Sequence, residues 1–430
     1  MATVHHEQGR LMPAQPPSGF GAMTALAPAH LPSRPIMQRR TILQSAAAVL
    51  SIRTLSALAA PRHVQPQSPG SVHDILIGQV APFSGPQAHY GQAMSAGIRA
   101  VFAQFNAAGG LRGRQIRLLT ADDQFLADKT VDAYTYLASQ GVVAFCGNFG
   151  TPTTVAALPW ISAHHIPVVG VYSGSQALRD PVNPYIFNLR GSLKDEARNI
   201  KQFLDLQGLR RTCVIYERDA YGMAGLDALH GAYGDDRLRA LALGVDATAA
   251  TAAHTVHQAL ATGPQAVILV LTTRIGAMTI HALRHAGFHG TMQQIVAISG
   301  IGPSALARSL APSDREDVIV STVVPYPFGG GAMAAMTLAF RDRMAASDAA
   351  SQIGFSSMEG DIDAQVLVRA LQAAKAVTAD GITAALNDLG TFDVGGDVGG
   401  FRLSLSPADH SATRFANLVL LRADGSYRNH

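Results

Sequence analysis

From residue 72 onward the chain alternates short, unbroken apolar runs with stretches whose apolar residues recur at helical spacing, and this alternation limits the fold more than any other feature. Residues 75–81, 115–119, 142–146 and 167–171 read as strands. Between them, Met94, Ile98, Val101, Phe102 and Phe105 mark one helical face, and Gly109 with Gly110 ends that helix. Asp128 opens a second helix that runs to Leu137, and a third opens near Thr153. Strands that are apolar throughout are buried on both faces, and parallel neighbours need a crossover, so the expected class is α/β with a parallel, doubly wound sheet. The pattern restarts after Ser192, which with Asp195 resembles a capping pair for a helix to about residue 207. Strands at 212–216, 266–271, 294–298 and 318–323, with helices at 222–233, 252–260 and 274–285, describe a second lobe of similar size. Helices at 332–346 and 359–376, a glycine-rich stretch at 395–400 and a β-like ending at 401–421 complete the chain. No fixed-period repeat is visible.

The first 71 residues follow a different logic. Residues 1–36, rich in Pro, Ala, Met and His, have the composition of a disordered extension. Residues 37–59 have the layout of a twin-arginine-like export signal: Arg39 and Arg40 precede Thr41-Ile42-Leu43, a short apolar stretch follows, and Ala57-Leu58-Ala59 is a small-x-small cleavage site. The apolar stretch is too short to span a bilayer, and no cysteine stands at the cleavage point, so neither a membrane anchor nor a lipid anchor is expected. The expected location is therefore periplasmic, with the signal cut near Ala59.

Charge and cysteine usage remove several function classes. Lys+Arg 33 against Asp+Glu 30, thinly spread, gives no cationic face for nucleic acid. Charged residues make up 15% of the chain, against about 25% in an average soluble domain, and hydrophobic residues 48%, which excludes wholesale disorder. Cys146 and Cys213 each sit inside an apolar run and read as buried thiols. The first strand is followed by Ala81-Pro82-Phe83-Ser84-Gly85-Pro86, whose prolines lack the amides that a phosphate loop needs, and there is no nucleophile elbow, since Ser173 falls one place late. His281, His285 and His289 have helical spacing but no H-E-x-x-H glutamate, and Gly287 interrupts them, which favours a solvated helix edge. Asp122 and Asp123 point opposite ways on a strand and suit turn formation better than shared acid-base work. No cofactor and no metal is expected.

Two loops stand out. Gly147-Asn148-Phe149-Gly150-Thr151-Pro152-Thr153-Thr154 joins a strand to a helix at the carboxyl edge of the first sheet, where open α/β folds bind ligands. Hydroxyls and free amides at a helix N-terminus suit a carboxylate, although a plain N-cap has the same sequence. Tyr172-Ser173-Gly174-Ser175 follows the next strand in the same way. Tyr90 and Tyr221 lie in turns at comparable places of the two lobes, where a ring can pack on a ligand or simply on the surface.

With these segments in view, the chain from 72 to 427 resembles a periplasmic substrate-binding protein of the leucine/isoleucine/valine-binding type, the receptor of a branched-chain amino-acid ABC transporter. The resemblance is carried, in order, by residues 77–116, Asp122-Asp123, CGNFGTPTTVAALP at 146–159, ERDAYGMAG at 217–225 and FSSMEG at 355–360. It implies two lobes joined by a three-crossing hinge with a ligand cleft between them: residues 71–191 plus 324–412, and 192–323 plus 413–430. It implies a small-molecule solute, a membrane permease as partner, a monomer and no catalysis. Carried over by position, Thr151 receives the ligand carboxylate, and the Tyr172, Ser173, Gly174, Ser175 loop holds the same carboxylate and the amine. Tyr90, Tyr221 and Thr273 become further cleft residues. Ser299 stands where amino-acid-binding members have an acid for the ligand ammonium. A buried ammonium with no counter-charge costs several kcal/mol, so either Asp219 or another carboxylate substitutes, or the ligand is an amine-free acid, an amide or a urea-like solute. The resemblance also leaves open a ligand sensor that regulates a partner protein, and the residues alone leave open an α/β enzyme with an unrecognised site.

Overall fold

A computed structural model describes residues 74–429 apart from 235–237, 291, 332 and 397–399. The expected extension at 1–36 and export signal at 37–59 lie outside the described residues. The first lobe begins with β1 (Ile75–Ala81), α1 (Ala88–Ala107), β2 (Ile116–Asp122), α2 (Ala127–Ser139), β3 (Ala144–Phe149), α3 (Thr151–His164), β4 (Val168–Tyr172) and β5 (Ile186–Phe187). Its strands lie in the order β2-β1-β3-β4-β5, all parallel. The chain then crosses to α4 (Leu193–Leu206), β6 (Thr212–Glu217), α5 (Ala220–Tyr233), β7 (Leu238–Leu243), α6 (Ala249–Leu260), β8 (Ala266–Val270), α7 (Thr273–His285), β9 (Gln294–Ala297), α8 (Pro303–Ser309), α9 (Pro312–Arg315) and β10 (Val318–Thr322). Here the parallel order is β7-β6-β8-β9-β10, the same winding as in the first lobe.

A second crossing returns to the first lobe for α10 (Ala334–Ala346), α11 (Phe355–Ala373), α12 (Ala379–Asn387) and the hairpin β11 (Gly390–Val394) with β12 (Phe401–Leu405). A third leads to β13 (Asn417–Leu421) and β14 (Tyr427–Asn429), which add antiparallel strands beside β10. The second sheet is therefore mixed, and the β-like ending read as one segment divides between the lobes. β7 was not legible as a strand because LRALAL sits at the sheet edge, only partly buried. No helix among the described residues is long and apolar enough to cross a membrane.

Both cores are apolar strands sandwiched between helix faces, as continuous Val/Ile/Leu runs require. Cys146 and Cys213 are buried, free thiols, one in each sheet. Asp361, an acid in the middle of α11, is buried because Arg343 of α10 grips both its oxygens, at 2.8 Å each. Such a two-pronged pair satisfies a charge that would otherwise be costly to bury.

Candidate functional site

Strand register decides which side chains meet. Parallel pairing sets Ala81 beside Asp122 and Phe149 beside Tyr172. Asp122 therefore lies under the first loop, where its Oδ1 accepts from the amides of Phe83 (2.8 Å) and Gln124 (3.0 Å), and Ser84 Oγ donates to its Oδ2. Asp123 takes the Phe125 amide and the Thr130 hydroxyl instead. Both acids hold turns. On the next pair, the residues just past the paired aromatics come together: Thr151 Oγ1 and Ser173 Oγ lie 2.7 Å apart, with Thr151 the first residue of α3.

Tyr90 and Tyr221 stand in the first turns of α1 and α5, which corrects the expectation that they lie in turns before those helices. Tyr90 packs its ring against Phe149 and Tyr172, with centroids 4.6 and 5.3 Å away. Because the lobes share one winding, Thr273 opens α7 as Thr151 opens α3, and Ser299 follows β9 as Ser173 follows β4. The two edges face each other. Tyr90 donates to the Gly300 carbonyl at 2.8 Å and lies 2.8 Å from Thr273 Oγ1, and Tyr172 donates to the Ser299 carbonyl at 3.4 Å. Thr151, Tyr172, Ser173, Gly174, Tyr221 and Ser299 line one small cavity. Tyr90 and Thr273 clasp each other away from that lining, and Ser175 caps a short turn through the Ala177 amide.

The charged part of the site had not been read from the sequence. Arg190, at the first crossing and 3% exposed, lies over the Tyr172 ring at 4.3 Å. It donates from Nη1 to Glu359 Oε1 at 3.2 Å and from Nη2 to Ser299 Oγ at 2.5 Å. Glu196, in the first turn of α4, accepts the Ser299 amide at 2.8 Å and the Ser299 hydroxyl at 2.9 Å. Glu196 thus sets a carboxylate one hydrogen bond behind Ser299. Asp219 is occupied elsewhere as the N-cap of α5, accepting from the Gly222 amide at 2.8 Å. Arg179 donates to the carbonyls of Ser173, Ser175 and Arg190, which ties the hydroxyl loop to the crossing. Burial pushes the Glu359 carboxyl up from its ordinary range, and Arg190 opposes that shift. Sequence reasoning missed Glu196 because an acid in a first helical turn reads as a complement to the helix dipole. It missed Arg190 because one cation at the end of an apolar segment forms no motif.

The cavity is about 20 Å³, room for a single water, and Phe125, Phe149, Gly150, Leu193, Thr272 and Gly300 complete its wall. Among the described residues, Tyr221 Oη and Arg190 Nε are buried there without a hydrogen-bond partner. The histidines are remote from it. His281 Nδ1 meets Asp314 at 2.8 Å and its ring lies 4.1 Å from that of His285, tilted by 52°, and among the described residues no group of three or more His, Cys, Asp or Glu side chains is placed to hold a metal.

Comparison with known proteins agrees with this architecture. A Leu/Ile/Val-binding protein homolog 2 of Brucella abortus is 32% identical over 85 residues, a stretch covering 20% of this chain and 23% of that protein. A homolog 3 of Brucella melitensis is 26% identical over 161 residues, covering 37% of this chain and 44% of that protein. The chain thus spans less than half the length of these curated relatives. Solved structures match over most of this chain and nearly all of their own length. A possible leucine/isoleucine/valine-binding protein from Rhodopirellula baltica has a TM-score of 0.76 at 27% identity, covering 84% of this chain and 98% of its own. A substrate-binding periplasmic protein from Ralstonia solanacearum has a TM-score of 0.74 at 26% identity, covering 83% and 100%. The family model described as "Periplasmic binding protein" matches residues 74–426, through both lobes and all three crossings. This chain belongs to the periplasmic binding protein family.

Proposed function

We propose that the chain is an exported, monomeric receptor of an ABC importer, which closes its two lobes over an amino acid or a related small carboxylate or amide and delivers it to a membrane permease. The observation that carries this reading is the meeting of the Thr151 and Ser173 hydroxyls at the N-terminus of α3, opposite buried Arg190, in a cavity walled by both lobes. Oriented hydroxyls, free amides and the positive end of a helix dipole form a seat for a carboxylate or a carbonyl. Gly174 lets the chain approach that seat closely, Ser175 shapes its loop, Tyr172 and Tyr221 pack on the ligand body, and Ser299 closes from the second lobe. Tyr90 and Thr273 fasten the closed form. Binding shifts the open-closed equilibrium only as far as the ligand prefers the closed state. The similarity to a possible leucine/isoleucine/valine-binding protein supports the same reading.

A thermal-shift screen of the full chain against amino acids, aliphatic and aromatic acids, amides and ureas tests it. A ligand present at 100 times its dissociation constant adds about 2.7 kcal/mol to native stability and raises the midpoint visibly. A shift confined to one class identifies the solute. No shift in any class would sink the receptor reading in favour of a sensor that answers to a protein partner.

A further inference from the structure

We propose that the solute carries an extended apolar chain, which lies in a groove between α3 and α5 while its polar head occupies the small cavity beside Thr151 and Ser173; this rests on the receptor reading above. Three groups around the cavity point to a polar head. Tyr221 Oη, Thr272 Oγ1 and Arg190 Nε are buried at its wall without a hydrogen-bond partner among the described residues, and each costs free energy until a ligand satisfies it. Hydroxyls accept as well as donate, so the head of an acid, an amide or an amino acid is served alike. The cavity itself, about 20 Å³, has no room for the rest of a solute. That room lies next to it. A groove of about 360 Å³, within the size range of small-molecule sites, runs between the lobes, and Thr151 and Leu193 line both spaces. These two side chains form the partition between head site and groove.

The groove has the lining that an alkyl chain needs. Val155, one turn after Thr151 on α3, and Ala177 come from the first lobe, and Leu193 and Met223 come from the second. Ala220, Ala224 and Ala228 recur every four residues along α5, so this helix offers a shallow channel about 12 Å long, enough for a chain of about eight carbons. Gln176, Lys194 and Asp227 supply its polar part. A chain in this groove touches both lobes at once, so each methylene it buries favours the closed form.

The test titrates two homologous series calorimetrically into the full chain: acetate, butanoate, hexanoate and octanoate, and L-alanine with the straight-chain 2-amino acids of five, six and eight carbons. In the series that binds, affinity is expected to rise about threefold per added methylene up to about eight carbons. Affinity that stays flat or falls beyond four or five carbons overturns the proposal, and so does binding by neither series. In both cases the receptor reading survives if the wider screen finds a compact solute, and falls only with silence there. Ala224→Phe fills the groove away from the cavity. It is expected to lower the ratio of longest-chain to shortest-chain affinity about tenfold. An unchanged ratio would mean that the chain binds elsewhere on the protein and overturns the assignment. If Ala224→Phe does not melt cooperatively, Met223→Asn removes an exposed part of the apolar wall and is expected to lower the same ratio about threefold; an unchanged ratio there is equally decisive against the groove.

Discussion

Glu217 ends β6 with its side chain 2% exposed, and its Oε2 accepts the Thr272 amide at 2.9 Å. Burial pushes its carboxyl up to about 7, with Asp219 adding a smaller push that the Thr272 amide opposes. The folded state then holds this proton to higher pH than the unfolded chain, so the stability it contributes is complete below the unfolded value of 4.5 and is lost as pH rises towards 7. One pKa unit is worth about 1.4 kcal/mol, so the loss amounts to roughly 3 kcal/mol at most. Glu217→Gln keeps an acceptor for Thr272 and removes the titration. Urea unfolding between pH 4.5 and 7 should show a wild-type stability that declines and a variant whose stability stays flatter. Parallel curves would show that Glu217 does not titrate in this window. Single residues were also where the sequence was least legible. Thr151 and Ser173 could be picked out because hydroxyls in strand-to-helix loops have a physical signature, whereas Arg190 and Glu196 acquire meaning only from partners more than 100 positions away, such as Ser299.

At the scale of elements, the crossing of α1 and α11 shows how a helix can depend on lacking a side chain. A Cβ on Gly97 would lie 2.0 Å from the Ser357 carbonyl oxygen, which belongs to helix backbone and cannot turn aside. In an exposed helix, Gly to Ala gains about 1 kcal/mol, but overpacking a close contact costs about 1–3 kcal/mol, so at Gly97 the steric term wins. Gly97→Ala should therefore lower the denaturant midpoint. Gly231→Ala, in α5 with no atom within 4 Å of its added Cβ, should raise it. Two shifts of the same sign would refute the packing argument. The same contrast explains which elements could be read in advance. β1, β3, β4, β6 and β8 are buried along nearly their whole length and announce themselves as apolar runs. β7, at a sheet edge, and α8, α9 and α12, each a few turns or less, lack the length or the burial that makes a period visible.

At the scale of the molecule, one winding used twice sets the two sheet edges face to face, and hydrogen bonds join them across the cleft. Tyr90 takes part in them. Its hydroxyl reaches the Gly300 carbonyl and Thr273 across the cleft, while its ring stays anchored on Phe149 within its own lobe. Tyr90→Phe removes the hydroxyl and keeps the ring, so it separates closure from the packing of the first lobe. Tyr90 has one hydroxyl proton, given to the Gly300 carbonyl, while Thr273 gives its own to the Ile301 carbonyl, so the loss of one bond worth about 0.5–1.5 kcal/mol net moves the closed-to-open ratio by about 1 kcal/mol, or roughly fivefold. A ligand's apparent affinity falls with the population of the state it binds, so the same substitution should weaken every solute found in the screen by a common factor. The expected result is a larger radius of gyration by small-angle scattering without solute, recovery of the compact value at saturating solute, and an unchanged denaturant midpoint for the first lobe. A variant that stays as compact as the wild type without solute, or that weakens acids and amides unequally, would mean that Tyr90 reads the ligand directly and that the clasp with Thr273 and Gly300 does not govern closure.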